Sequence, residues 1–375
     1  MGAAPRRWTA RLAWRAALVA ACGAGTLAVL LPAVGDGAVQ PASYRVGNAL
    51  DGIQSEFSDP SGMPPGVTNA PCTPSAAHPY PVVLVHGTFA NENFTWQALA
   101  PMLANAGYCV FGLNYGATSS TTTFGDHSYG IDRIETSASQ LAHLVDQALS
   151  WTTEPDGTHA TQVEIVGHSQ GGMMPRYFIE HAWNCGALVT TAYGTGCTED
   201  DASGIAGSAR VHMLVGMAPS NHGADAYGLV PIFERLFGAN TWTFPEQSCG
   251  ACGEQEAGNP FLTALNGPDG SLEAAPGVLY YVLESEFDEV VTPAPNPITA
   301  ALGQWPSAYL HGPAAQVDDV RLQDQCPTDA VEHIGIVYDP VALWDVMQAL
   351  ADDGSAIVPL GQPPCPPVVL PVLGG

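Results

Sequence analysis

The residues best suited to covalent chemistry form the pentapeptide Gly167-His168-Ser169-Gln170-Gly171. A serine flanked in this way is typical of a nucleophile held on a tight turn between a strand and a helix, where larger neighbours would collide with adjacent elements. The pattern alone is common in glycine-rich chains, so its surroundings decide its weight. Here residues 162–166 predict the strand and residues 171–180 predict the helix. We therefore expect Ser169 to act as a nucleophile.

A nucleophilic serine needs a base to take its proton and an acid to orient the base. In the strand–turn–helix arrangement the acid follows a late strand and the histidine comes after it. Asp288 and His333 fit that order, since His333 follows the last predicted strand by a short loop. We therefore predict the catalytic set Ser169, Asp288 and His333. Glu284 is the alternative acid, although it and Glu286 are otherwise interpreted as solvated loop charges.

Other histidines compete less well for the role of base. His222 precedes the acid, which breaks the usual order, and His311 precedes the last strand, at the wrong end of the sheet. His86 and His168 are interpreted as structural. The remaining histidines show no metal-ligand spacing, so we expect neither a metal nor a cofactor. They are His78, His127, His143, His159, His181 and His212.

The negative oxygen that forms during acyl transfer needs hydrogen-bond donors. In this architecture one donor is the main-chain N–H of the residue after the nucleophile, and the other comes from the loop after an early strand. The first donor is then Gln170. The second is placed on Thr88, in the loop that follows the apolar run Val82-Val83-Leu84-Val85-His86.

The elements that would carry these residues alternate between strand and helix, which predicts an α/β fold with a mostly parallel sheet. Residues 39–80 are rich in Pro, Gly and Ser and predict an irregular extension, and 361–375 predict a Pro-rich tail. The predicted strands are 82–86, 108–113, 162–166, 211–215, 278–283 and 317–322, and the predicted helices are 96–106, 131–149, 171–180 and 344–350.

The N-terminus has the form of an export signal. Four of the ten basic residues, all of them Arg, lie in the first fifteen positions, before the apolar run 16–34 and the small residues Gly35, Gly37 and Ala38. This pattern predicts a secretory signal at 1–38 and a secreted mature protein without a transmembrane segment. Arg6-Arg7 leaves the twin-arginine route open. Without 1–38 the chain has 6 Arg against 35 acidic residues, a formal charge of −29, which argues against a nucleic-acid partner.

Cysteine usage agrees with export, because an even number of cysteines in an exported chain predicts disulfides. The spacing of Cys249 and Cys252 also occurs in zinc and redox sites, but no second CxxC accompanies it, so a local disulfide is favoured. Sequential pairing would give Cys72–Cys109, Cys185–Cys197, Cys249–Cys252 and Cys326–Cys365.

Four motifs lie in order along the chain: PVVLVHG with Thr88-Phe89, GHSQGG, FDEVVTP and EHIG. Together they resemble the secreted bacterial triacylglycerol lipases of the class 2 family. The resemblance covers roughly residues 81–350 and implies an α/β-hydrolase fold, in a catalytic domain at 81–360, with helices on both faces of the sheet. It also implies hydrolysis of acylglycerols or other acyl esters, at a lipid–water interface in some cases, and no obligatory cofactor. The resemblance implies the same site residues as above: Ser169, Asp288 and His333 as the catalytic set, with Thr88 and Gln170 as donors to the oxyanion.

The sequence leaves alternatives of substrate and acceptor open. A short-chain or polyester esterase, or an acyltransferase, would use the same residues, whereas an exported binding protein would be expected to lose one of them. The apolar segment after 221 suggests an acyl-binding wall or partial lid, because such insertions between core strands build grooves near the nucleophile. An ordinary buried helix at 229–237 is the alternative. The proposed wall residues are Phe233, Phe237, Trp242 and Phe244.

Overall fold

The computed structural model describes residues 43–119, 121, 128–224 and 249–365. Its centre is a parallel sheet of six strands in the order β2-β1-β3-β7-β8-β9. A second, antiparallel sheet has the order β5-β4-β6. The strands are β1 Val82–Val85, β2 Val110–Leu113, β3 Val163–His168, β4 Ala182–Thr191, β5 Gly194–Glu199, β6 Ile205–Ala206, β7 Val211–Met217, β8 Leu279–Glu284 and β9 Val317–Arg321.

Helices connect the strands, and each strand of the large sheet was predicted from sequence to within two residues of its bounds. Within the described part, no helix combines the length and apolar content needed to cross a bilayer. The α-helices there are α1 Ala49–Ser58, α2 Glu92–Thr95, α3 Leu99–Ala106, α4 Ile134–Trp151, α5 Gln170–Glu180, α6 Gly250–Glu254, α7 Pro260–Asn266, α8 Pro297–Ala301, α9 Leu322–Gln325 and α10 Pro340–Ala349.

The large sheet is covered on both faces, as an α/β-hydrolase fold requires. Successive side chains of a strand point to opposite faces. In β1, Val82 and Leu84 pack with α3 and α10 in one apolar cluster, while Val83 and Val85 pack with α4 and α5 in another. All four valine and leucine side chains are fully buried. This double burial explains why the strand is a continuous apolar run.

The extension before β1 is not wholly irregular, so that prediction was wrong for α1. Asn48 begins this helix: its Oδ1 accepts hydrogen bonds from the N–H groups of Leu50 and Asp51, at 2.9 and 3.3 Å. The Asp51 carboxylate accepts in turn from the Asn48 N–H at 2.9 Å. This reciprocal capping starts a helix even among residues that favour loops.

The antiparallel sheet after α5 was not predicted. Most of β4 is exposed, and β5 has the composition Gly-Thr-Gly-Cys-Thr-Glu, so neither strand has the apolar alternation of a core strand. Pairing of β4 with β5 and the disulfide Cys185–Cys197 hold the hairpin together. All eight cysteines outside the N-terminal segment are paired, the other bridges being Cys72–Cys109, Cys249–Cys252 and Cys326–Cys365.

Candidate active site

Ser169 lies on the sharp turn between β3 and α5. Its φ of 55° and ψ of −123° are rare for a residue with a side chain, so the surrounding structure must enforce them. Two glycines make the turn sterically possible. A Cβ on Gly167 would lie 1.7 Å from the carbonyl oxygen of Gly171, and a Cβ on Gly171 would lie 2.1 Å from that of Val85. The turn therefore presents Ser169 at the carboxyl end of the sheet.

His333 joins Ser169 to Asp288. Its Nε2 lies 3.1 Å from Ser169 Oγ, and its Nδ1 lies 2.7 Å from Asp288 Oδ2. Asp288 follows β8 and His333 lies between α9 and α10, so residues 45 and 164 positions apart meet at one edge of the sheet. All three side chains are buried, with Asp288 at 0% exposure. The structure brings the three sequence-predicted residues together.

The Asp288 carboxylate is fixed by the turn that follows it. Its Oδ1 accepts hydrogen bonds from the N–H groups of Val290 and Val291, at 2.7 and 2.8 Å, which leaves Oδ2 for His333. Burial raises the pKa of Asp288, but the charge and hydrogen bond of His333 outweigh burial, so the pKa is lowered overall. Asp288 is therefore ionised at neutral pH.

Burial and charge oppose each other at His333 as well. Burial lowers the pKa of this imidazole, yet Asp288, with Glu289 and Glu332 beside it, more than compensates, and the pKa is raised. The carboxylate thereby makes the ring a better proton acceptor and fixes the Nδ1–H tautomer, so that Nε2 faces Ser169 with a lone pair.

Glu284, interpreted from sequence as a solvated loop charge, is fully buried at the end of β8, so that interpretation was wrong. Burial, and then the neighbouring Asp288, raise the pKa of Glu284 well above its ordinary value. Its Oε1 accepts from the Ser285 N–H at 2.9 Å. Glu284 is thus a neutral carboxyl group beside an ionised one. Glu286, by contrast, lies at the surface, 3.7 Å from Arg321.

Thr88 and Gln170 face each other across the turn. Thr88 Oγ1 donates to Gln170 Oε1 at 2.7 Å, and it accepts from Gln255 Nε2 at 2.9 Å. Gln255 Oε1 accepts in turn from Ser220 Oγ at 2.8 Å. In the described part of the chain, no hydrogen bond engages the main-chain N–H of Thr88 or of Gln170. Both amides can therefore donate to a bound oxyanion. Gln255 was missed by sequence reasoning, because it lies directly after α6, far along the chain from Thr88 and Ser169.

The other two histidines near the turn lie beside main-chain oxygen atoms. His86 is buried and its Nδ1 lies 2.8 Å from the Gly87 oxygen, while His168 Nε2 lies 2.9 Å from the His333 carbonyl oxygen. Burial lowers the pKa of His86 to about 4 and that of His168 to about 3, so both are neutral. His222 and His311 do not contact this set and lie together beside Glu273. The proposed wall residues Phe233, Phe237, Trp242 and Phe244 lie outside the described residues.

Comparison with solved structures finds hydrolases. The mature lipase BlEst2 of Bacillus licheniformis is 14% identical, covers 71% of this chain and 89% of its own, and has a TM-score of 0.41. Esterase B of Lactobacillus rhamnosis is 12% identical, covers 80% of this chain and 84% of its own, and has a TM-score of 0.39.

Comparison of sequences finds two triacylglycerol lipases. One, from Pseudarthrobacter phenanthrenivorans, is 28% identical over 206 residues, which are 49% of this chain and 59% of the relative. The other, from Burkholderia plantarii, is 28% identical over 206 residues, with coverage of 49% and 53%. This chain thus spans little more than half the length of either relative. The model of the family described as Lipase (class 2) matches residues 79–295, more than half of the chain. The chain therefore belongs to the class 2 lipase family.

Proposed function

We propose that this protein is an exported serine hydrolase of carboxylic esters, with triacylglycerols as its substrates. The observation that carries the proposal is the position of His333, 3.1 Å from Ser169 Oγ and 2.7 Å from Asp288. Membership of the class 2 lipase family and the names of the two relatives support the same chemistry.

In the first half-reaction Ser169 Oγ attacks the ester carbonyl carbon while His333 Nε2 accepts its proton. The new C–O bond turns the carbonyl oxygen into an oxyanion. The main-chain N–H groups of Thr88 and Gln170 donate to that oxyanion. When the intermediate collapses, the bond to the alcohol oxygen breaks, the imidazolium gives its proton to the alcohol, and the acyl group remains on Ser169.

In the second half-reaction a water molecule attacks the acyl-enzyme while His333 accepts one of its protons. The second tetrahedral intermediate releases the fatty acid, and the proton returns to Ser169. Asp288 stays ionised throughout and stabilises the imidazolium that forms twice in each cycle. Removing one oxyanion donor from an enzyme of this kind costs on the order of 100- to 1,000-fold in rate.

Export is supported by two features. The Arg-rich start followed by an apolar run has the form of a signal segment. The four disulfides require an oxidising compartment in which to form and persist. Amino-terminal sequencing of protein recovered from the culture medium tests this point, with a new N-terminus near residue 39 as the expected result.

Substrate range is tested with p-nitrophenyl esters from acetate to palmitate and with triacylglycerol emulsions. We expect hydrolysis of long-chain esters and emulsions by the wild type, and a loss on the order of a thousandfold or more in Ser169→Ala. His181→Ala is the matched control, because this histidine lies at the opposite end of α5 and keeps the wild-type rate. Activity confined to acetyl and butyryl esters would overturn the lipase assignment, and activity retained by Ser169→Ala would overturn the mechanism.

A further inference from the structure

Two histidines and a buried glutamate meet on three separate loops, away from the residues of the mechanism above. His222 follows β7, Glu273 precedes β8 and His311 precedes β9. His222 Nε2 lies 3.0 Å from Glu273 Oε1, and His311 Nδ1 lies 3.0 and 3.1 Å from the two Glu273 oxygens. One ligand atom from each residue lies within 4.8 Å of the others. We refer to these three residues as the His–Glu–His cluster.

The hydrogen bonds of His222 determine where its lone pair points. Its Nδ1 lies 3.1 Å from the carbonyl oxygen of Ser307, which can only accept, so Nδ1 carries the proton. In the neutral ring, Nε2 then has the lone pair, and this lone pair faces the Glu273 carboxylate. Two acceptors at 3.0 Å repel each other unless a cation, either a proton or a metal ion, lies between them. A main-chain carbonyl that fixes the tautomer in this way is the usual partner of a metal-binding histidine.

Among the described residues, no arginine side chain contacts the Glu273 carboxylate directly. The side chain of Glu273 is 1% exposed, and its carboxylate contacts only the two imidazoles and the His311 N–H among the described residues. Arg176 donates instead to the main-chain oxygen of Glu273, at 3.2 Å, and pairs with Glu180 at 3.9 Å. A carboxylate buried in this way is stabilised by a cation in direct contact with it.

The cluster is held in place and is open on one side. The His311 ring stacks on Trp305, with centroids 4.3 Å apart and planes 18° apart. A cavity of about 510 Å³ is lined by the three residues together with Asp269 and Thr263. Water from this cavity can therefore fill a remaining coordination position. Two imidazole nitrogens, one carboxylate and an open position form a ligand set that binds Zn²⁺ in proteins.

We propose that the His–Glu–His cluster is a binding site for a divalent transition metal, with Zn²⁺ as its occupant. His222 Nε2, His311 Nδ1 and one Glu273 oxygen are the ligands. Tetrahedral ligands at Zn–N and Zn–O distances of about 2.0–2.1 Å lie about 3.3 Å apart. The two nitrogen–oxygen separations of 3.0 Å need to grow by only a few tenths of an ångström, and the two ligand nitrogens lie within 4.8 Å of each other. His311, which is half-exposed, moves its proton to Nε2 through solvent, so its Nδ1 becomes free to bind. The bound ion fastens the loop after β7 to the loops that precede β8 and β9.

The test is Zn²⁺ titration by calorimetry of chelator-treated protein without a polyhistidine tag. We expect one Zn²⁺ per chain with a Kd in the micromolar range or below, weakened at least 100-fold by Glu273→Gln and by His311→Ala. His181→Ala is the matched control, because it removes a histidine from the surface group His181, Glu199 and Asp201 and keeps wild-type affinity. Zn²⁺ should also raise the Tm of the wild type but not that of His311→Ala.

His311→Ala keeps the proposal falsifiable if the buried Glu273→Gln substitution prevents folding, because His311 is half-exposed. Absence of saturable one-to-one binding at Zn²⁺ concentrations on the order of 100 µM would overturn the proposal. So would binding that His311→Ala leaves unchanged, since the ion would then lie elsewhere, for example at His333. Neither result depends on ester hydrolysis, so the proposed function is tested separately.

Discussion

Glu92 is a carboxyl group whose charge nothing nearby stabilises. It begins α2, its side chain is 5% exposed, and its Oε2 has no hydrogen-bond partner in the described part of the chain. Oε2 lies against β2, where a Cβ on Gly112 would approach it to 2.5 Å. Burial therefore raises the pKa of Glu92 from 4.5 to about 8. We predict that Glu92→Gln changes the pH dependence of stability.

The sign and size of this change in stability follow from the linkage between proton binding and folding. Because the folded pKa lies above the unfolded value, the contribution of Glu92 to stability is fully present below pH 4.5 and is lost as the pH rises toward 8. Each pH unit within that window costs about 1.4 kcal/mol. The wild type thus loses about 3 kcal/mol of its free energy of unfolding between pH 5 and pH 7.5 from this group alone. An amide does not ionise, so Glu92→Gln lacks this loss.

The assay is urea unfolding, followed by tryptophan fluorescence with the disulfides intact, at pH values from 5 to 8. Other carboxyl groups, such as Asp319 and Asp339, also have pKa values raised to about 7 by burial. The informative quantity is therefore the difference in unfolding free energy between variant and wild type at each pH. That difference should shift by about 3 kcal/mol in favour of Glu92→Gln between pH 5 and pH 7.5. Glu256→Gln, which removes one charge from an exposed position, is the control for the loss of a carboxylate. A flat difference for Glu92→Gln itself would refute the reasoning.

Three further predictions concern the fold and the site. Replacing Cys326 and Cys365 by Ser removes a disulfide that closes a loop with a sequence separation of 39. The free energy of unfolding, measured in urea, should fall by about 4 kcal/mol. A fall of less than about 1 kcal/mol would contradict this prediction. The double substitution Trp242→Ala and Phe244→Ala should reduce activity on long-chain esters more than on acetyl esters. An equal change on both esters would contradict the proposed acyl-binding wall and favour an ordinary buried segment. His333 must be neutral to accept the serine proton, and its pKa is raised above the ordinary value of 6.5. We therefore expect kcat/KM to rise with pH through a group that titrates above 6.5. A midpoint of this rise below 6.5 would contradict the account.

The parallel sheet was predictable because each of its strands leaves a local signal. A strand buried on both faces must be apolar throughout, as Val82–Val85 is, and glycines or prolines mark its ends. The nucleophile turn leaves an equally local signal, since only glycine fits at 167 and 171. The catalytic roles of Asp288 and His333 stay predictions, but their positions followed from chain order alone.

What the sequence did not indicate depends on contacts between distant segments. Glu284 is buried because the loop carrying Asp288 folds over the end of β8, and a charged residue at the end of a strand gives no sign of this. The exposed hairpin of β4 and β5 has too few apolar residues to show a strand pattern. His222 and His311 lie 51 and 38 residues from Glu273, and only the folding of three loops brings them together.

The central claim is that Ser169 is a nucleophile activated by His333. The most direct measurement is the rate and site of labelling by an alkyl fluorophosphonate, followed by intact mass and peptide mapping. The account predicts one phosphonyl group per chain on Ser169, no label in Ser169→Ala, and labelling slowed on the order of a thousandfold in His333→Ala. A label on another residue, or an unchanged labelling rate in His333→Ala, would contradict it.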